Sequence, residues 1–96
     1  MIGVKRYRID LNNRHCDVDL PRKSVLLRVG LANGFAFLWA VVNDQRDTAK
    51  RRLLIVPTDA AALAVESAHS MPPYVGSIDL DDGEFHVFDQ GEVVGA

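Results

Sequence analysis

The chain has 96 residues, 48% hydrophobic and 25% charged, with a formal net charge of −2. That length supports one domain with a single modest core, and the composition excludes an intrinsically disordered chain. The longest apolar run, Phe35 to Val42, is too short to span a bilayer, the N-terminus has no signal-like apolar segment, and the lone cysteine, Cys16, excludes an internal disulfide framework. A cytoplasmic protein without membrane association is expected.

The first stretch, Val4 to Leu20, reads as a β-hairpin with Asn12-Asn13 at its tip. Pairing across that tip sets Ile9 opposite Cys16 and Tyr7 opposite Val18 on one face. On the other it sets Asp10 against His15, Arg8 against Asp17 and Arg6 against Asp19. Three opposite-charge pairs in register mark a solvated face. Pro21-Arg22-Lys23 then turns the chain.

Ser24 to Asn43 is the most strongly specified part. Asn33-Gly34 between two apolar runs signals a tight hairpin, because both residues tolerate the positive φ that a type I′ turn demands. The turn fixes a register in which Val25/Val42, Leu27/Ala40, Val29/Leu38 and Leu31/Ala36 form an aliphatic face. The opposite face carries Leu26/Val41, Arg28/Trp39, Gly30/Phe37 and Ala32/Phe35. Both faces are mostly apolar, whereas a half-solvated hairpin alternates apolar with polar, so both need cover from the chain or from a partner.

After the polar loop DQRDTAK, the run Leu53-Leu54-Ile55-Val56 predicts a short strand, Arg51 to Val56, buried on both faces and pairing with the Phe35 to Val42 strand. Pro57 ends it. Thr58 or Asp59 caps a predicted helix over about 59–69, which Met71-Pro72-Pro73 stops. A third hairpin, Tyr74 to Asp89, turns at Asp82-Gly83 and sets Leu80/Phe85 and Ile78/Val87 on one face, Asp79/His86 and Asp81/Glu84 on the other. The tail, 90–96, is expected to fray. The fold class is therefore mainly β, on the α+β border: about seven antiparallel strands in three hairpins plus one short helix, arranged as a small sandwich or as a curved sheet with the helix packed on it.

The order KRYRI, DVDLPRKSVLLRVGLANGFAFLWAVVN, an apolar strand ending at Thr58, then YVGSIDLDDGEFHVFD resembles a group of short phage and prophage proteins that share a domain of unknown function. The matching positions are Pro21, Leu38, Trp39, Ala40, Tyr74, Gly76, Ser77, Phe85, His86, Val87 and Phe88. Where such proteins often carry a Thr-Gly-His-like turn, this chain reads Thr58-Asp59-Ala60. The resemblance implies a phage setting and no reaction.

No cofactor is implied. His15 and Cys16 point to opposite faces of a strand, and no second cysteine offers zinc spacing, so no metal site is expected. Asp79 with His86 looks like half of a catalytic dyad, but no nucleophile turn or glycine-rich phosphate loop accompanies it, and a cross-strand ion pair on a solvated face is the plainer reading. The candidate binding residues are Arg28, Phe35, Phe37 and Trp39, with Asp79 and His86 as a second set. Arginine and aromatic side chains concentrate at interface hot spots, while core packing is the competing use for the rings.

Charge is lopsided. All eleven Lys and Arg lie between Lys5 and Arg52 beside only five acidic residues, and from Thr58 onward there are eight acids and no Lys or Arg. Such asymmetry suits docking on a charged partner, or two parts that neutralise each other. The sequence thus points to a non-enzymatic accessory protein that binds a host protein, with a homodimer as a further partner. Alternatives are a small-ligand binding protein and, lower, a nucleic-acid binder using Arg6, Arg8, Arg46, Lys50, Arg51 and Arg52, which the acidic overall balance makes unlikely.

Overall fold

The computed structural model describes residues 1–60 and 71–93. Seven strands run in chain order: β1 (Ile2–Arg8), β2 (His15–Pro21), β3 (Val25–Ala32), β4 (Phe35–Asn43), β5 (Thr48–Pro57), β6 (Tyr74–Leu80) and β7 (Gly83–Glu92). They form two antiparallel sheets, one ordered β1-β4-β3 and the other β2-β5-β7-β6. Among the described residues there is no α-helix. Thr58–Ala60 forms a single 3₁₀ turn, and the rest of the helix expected over 59–69 lies outside the described residues.

The sheets face each other across one core. Ile9, Val18, Leu20, Val29, Leu38, Leu53, Ile55, Ile78 and Val87 pack into one buried cluster drawn from both layers, so the sandwich is the arrangement adopted. The layers meet closely at Gly76 of β6, where a Cβ would lie 3.0 Å from Val29 Cγ2 and 3.4 Å from the Val29 backbone nitrogen. A side chain here would require Val29 to give by a few tenths of an ångström.

The central hairpin forms as its turn dictates. Asn33 and Gly34 have φ of 52° and 82°, and the pairs Ala32/Phe35 through Arg28/Trp39 follow the expected register. Beyond Arg28 the pairing differs. A bulge at Leu27 shifts Leu26 to Ala40 and Val25 to Val41, which leaves Val25 and Leu27 exposed at 59% and 48%.

The first hairpin does not form. β1 pairs with β4 from Ile2/Asn43 to Arg8/Phe37, while β2 pairs with β5 in the other sheet. The segment between them crosses from one layer to the other. The acids expected to meet Arg6 and Arg8 meet β5 instead: Asp17 with Arg52 at 2.9 Å and Asp19 with Lys50 at 3.4 Å. Exposed ion pairs are weak and interchangeable, so they do not specify a partner strand. Burial of Ile9, Val18 and Leu20 against both sheets does.

β5 is correspondingly central to its own sheet, between β2 and β7, and not a neighbour of β4. Leu53, Leu54 and Ile55 are all buried. The last hairpin keeps a two-residue loop, but its tip is Asp81-Asp82, with Leu80 opposite Gly83 and Ile78 opposite Phe85. The register differs by two residues from the expected one. A two-residue slip leaves every side chain on its own face, so hydrophobic alternation cannot detect it. The chain expected to fray from residue 90 stays in β7 to Glu92, and Val93 N–H donates to the Lys50 carbonyl at 2.8 Å.

Arg51 ties the two layers at one end. Its guanidinium donates to both oxygens of Asp89, at 2.9 and 2.7 Å, and to the Ser24 carbonyl at the start of β3, at 2.9 Å. Burial by itself raises the Asp89 pKa, but the Arg51 hydrogen bonds, with one from Gly91 N–H, outweigh it and hold the carboxyl below the usual aspartate range.

Candidate functional site

β4 places Phe35, Phe37 and Trp39 on one side because alternate strand residues share a face, and Leu38, Ala40 and Val42 fill the core on the other. The rings lie on the outer face of the three-stranded sheet. β3 brings Arg28 directly opposite Trp39, with its guanidinium carbon 4.0 Å from the indole centroid. Gly30 makes room for this. A Cβ there would stand 3.4 Å from an Arg28 guanidinium nitrogen and 3.5 Å from the indole, so both side chains lie down over the glycine.

β1 adds two members that sequence reasoning assigned to ion pairs. Arg6 stands opposite Trp39 in register, and Arg8 opposite Phe37, yet each reaches diagonally to the next ring. Arg6 covers Phe37 at 4.4 Å and Arg8 covers Phe35 at 3.9 Å. Diagonal neighbours on a twisted sheet lie within reach of a long side chain. The rings themselves touch, with Phe37 and Trp39 centroids 6.1 Å apart and tilted by 59°. The spacing Arg6-x-Arg8 in a strand with no acid was the available signal, and the expected pairing with Asp17 and Asp19 concealed it.

Three arginines over three rings therefore form one layer. None of the salt bridges among the described residues involves Arg6, Arg8 or Arg28. Lys50, Arg51 and Arg52 of the other sheet, by contrast, are each ion-paired. β1, β3 and β4 contain no Asp or Glu and carry Lys5, Arg6, Arg8 and Arg28. The lopsided charge of the sequence thus becomes a charge difference between layers. Among the described residues the face is partly open: Phe35 is 46% exposed, Phe37 and Trp39 are half-buried beneath Arg6 and Arg28, and the far end continues into Val4 and Val25, exposed at 60% and 59%.

The second candidate set is not joined to the first. Asp79 is exposed and stands opposite Glu84, while His86 stands opposite Ser77. His86 instead centres a hydrogen-bond chain on the four-stranded sheet. Its Nδ1 is 2.7 Å from Ser77 Oγ and its Nε2 is 2.8 Å from Thr58 Oγ1, which donates to Glu84 at 2.9 Å. Tyr74 OH bonds Ser77 Oγ. Tyr74, Ser77 and His86, three residues that carried the resemblance, thus meet in one network with Thr58. Cys16 and His15 belong to no group of metal-binding side chains among the described residues.

A family model described as a domain of unknown function, DUF7352, matches residues 1–94. The chain belongs to that family. No curated protein and no solved structure matches the DUF7352 chain. Among the described residues no helix of the DUF7352 domain is long and apolar enough to cross a membrane.

Proposed function

We propose that this DUF7352 domain is a non-enzymatic accessory protein of phage or prophage type that binds an acidic protein of the host through the outer face of its three-stranded sheet. The observation that carries the reading is the set of three arginines held over three rings, Phe35 exposed and Phe37 and Trp39 half-buried, on a face whose strands contain no acid. Arginine and tryptophan are the side chains that dominate interface energetics, and stacking on a ring presets a guanidinium for a carboxylate. The adjoining aliphatic half of the face, which a nucleic acid would leave bare, suits a protein partner. An isologous dimer through this face would set arginines against arginines with no acid between them. A small-ligand role would use the recess of about 610 Å³ beside Arg8 and Phe35, which is lined also by Asp10, Cys16 and Asp17.

The test is capture from a host lysate by the wild-type protein and by an Arg6→Glu/Arg8→Glu variant with unchanged circular dichroism. The wild type is expected to retain a specific acidic protein that the variant loses. Equal capture by both would refute the reading.

A further inference from the structure

We infer that the partner adds an extended, acidic segment as a new strand along the free edge of β1. The inference rests on the binding role proposed above and specifies how the partner sits. β1 is an edge strand, paired with β4 over seven consecutive positions without a bulge. The other edge of the same sheet, β3, is interrupted by the bulge at Leu27, which blunts it for pairing. Among the described residues, only β1 offers this sheet a straight ladder with no strand paired to its outer side.

The direction of its backbone groups follows from two hydrogen bonds. Ile9 N–H donates to the Ala36 carbonyl, and the Met1 carbonyl accepts from Asp44 N–H. Odd-numbered residues therefore turn their backbone groups towards β4, and Val4, Arg6 and Arg8 turn theirs towards the open side. Long charged side chains often screen such an edge. Here Arg6 and Arg8 lean inward over Phe37 and Phe35, so these two side chains do not screen the edge. Ile2 and Val4, exposed at 70% and 60%, complete a flat apolar edge.

An added strand would set its alternate side chains beside Ile2, Val4, Arg6 and Arg8 at cross-strand distance. With four basic and no acidic residues on the sheet, the complementary strand carries carboxylates opposite the two arginines and apolar groups opposite Ile2 and Val4. A second copy of the chain would instead join two sheets that are both purely basic.

The probe is the fluorescein-labelled peptide acetyl-Glu-Thr-Glu-Thr-Val-Thr-Val-amide, titrated into the full chain by anisotropy, with amide exchange followed by NMR. Binding is expected to protect the Val4, Arg6 and Arg8 amides and to vanish when the glutamates are replaced by lysines. Val4→Pro removes an N–H that the protein's own sheet does not use, so the fold survives while affinity falls about tenfold or more. Peptide binding without protection of those amides, or undiminished in Val4→Pro, overturns strand addition. If the Arg6→Glu/Arg8→Glu variant still loses lysate capture in that case, the face remains the binding surface. If the variant captures normally, both readings fall. Protection of the β1 amides in a free dimer assigns the edge to a second copy, and quenching of Trp39 by an oligothymidine that outcompetes the peptide assigns the face to nucleic acid. Either result overturns the proposal.

Discussion

Replacing Asp89 by alanine should unfasten the two layers. The guanidinium of Arg51 would keep only the Ser24 carbonyl, and the Gly91 N–H would lose its acceptor. The side chains of Arg51 and Asp89 are only 14% and 16% exposed. Breaking a buried pair on one side costs about 3–5 kcal/mol, mostly from the uncompensated charge, and the residual exposure places this case near about 3 kcal/mol. Against a total stability of roughly 5–15 kcal/mol for such a domain, that is a large share. It corresponds to a fall in Tm of roughly 12–24 °C. Urea unfolding followed by Trp39 fluorescence, with calorimetry, measures it. Arg51→Met/Asp89→Leu should recover most of the loss, because no charge is left unpaired. The pH dependence has a definite sign. The folded carboxyl lies below its unfolded value, so the unfolded chain binds more protons in this range and stability rises with pH. The contribution is complete above the usual aspartate value of about 3.9 and is lost as pH falls through the depressed folded value. A loss below about 1 kcal/mol in Asp89→Ala, or no recovery in the double variant, would refute the reasoning.

Other substitutions separate core from surface. Gly76→Ala should cost about 1–3 kcal/mol in urea unfolding through overpacking against Val29. Leu38→Ala, at a fully buried position, should cost about 2–5 kcal/mol by the same assay. Gly34→Ala meets no neighbour within 4 Å but must adopt a φ of 82°, so a loss of about 1–2 kcal/mol, from backbone strain alone, is expected. Arg28→Ala should cost no more than about 1 kcal/mol and leave the melting transition cooperative, because its stack on Trp39 is exposed. A loss as large as that of Leu38→Ala would place the aromatic face in the core.

Local chemistry was legible in the sequence and pairing across the chain was not. Asn33-Gly34 dictates its own turn, and with it the grouping of Arg28, Phe35, Phe37 and Trp39 on one face, because the constraint acts within a few residues. The bulge at Leu27 leaves no such mark, since either register buries Val29, Leu38 and Ala40. Arg6, Arg8, Asp17 and Asp19 show the general difficulty. Their charges fit a local hairpin, but Asp17 and Asp19 fit Arg52 and Lys50 equally well, and burial of Ile9 and Leu20 decides between the two. The exchange frees Arg6 and Arg8 for the rings. His86 met Ser77 and not Asp79 because a slip of two residues conserves every face.

The openness of the aromatic face is the point on which the binding role depends, and Trp39, the single tryptophan, reports on it directly. Trp39 is half-buried under Arg28, so acrylamide should quench its fluorescence measurably in a monodisperse 10.6 kDa species and much less in the complex with the captured acidic protein. A tryptophan already shielded in the free protein, or one quenched equally in the complex, would contradict the assignment of this face as the binding surface.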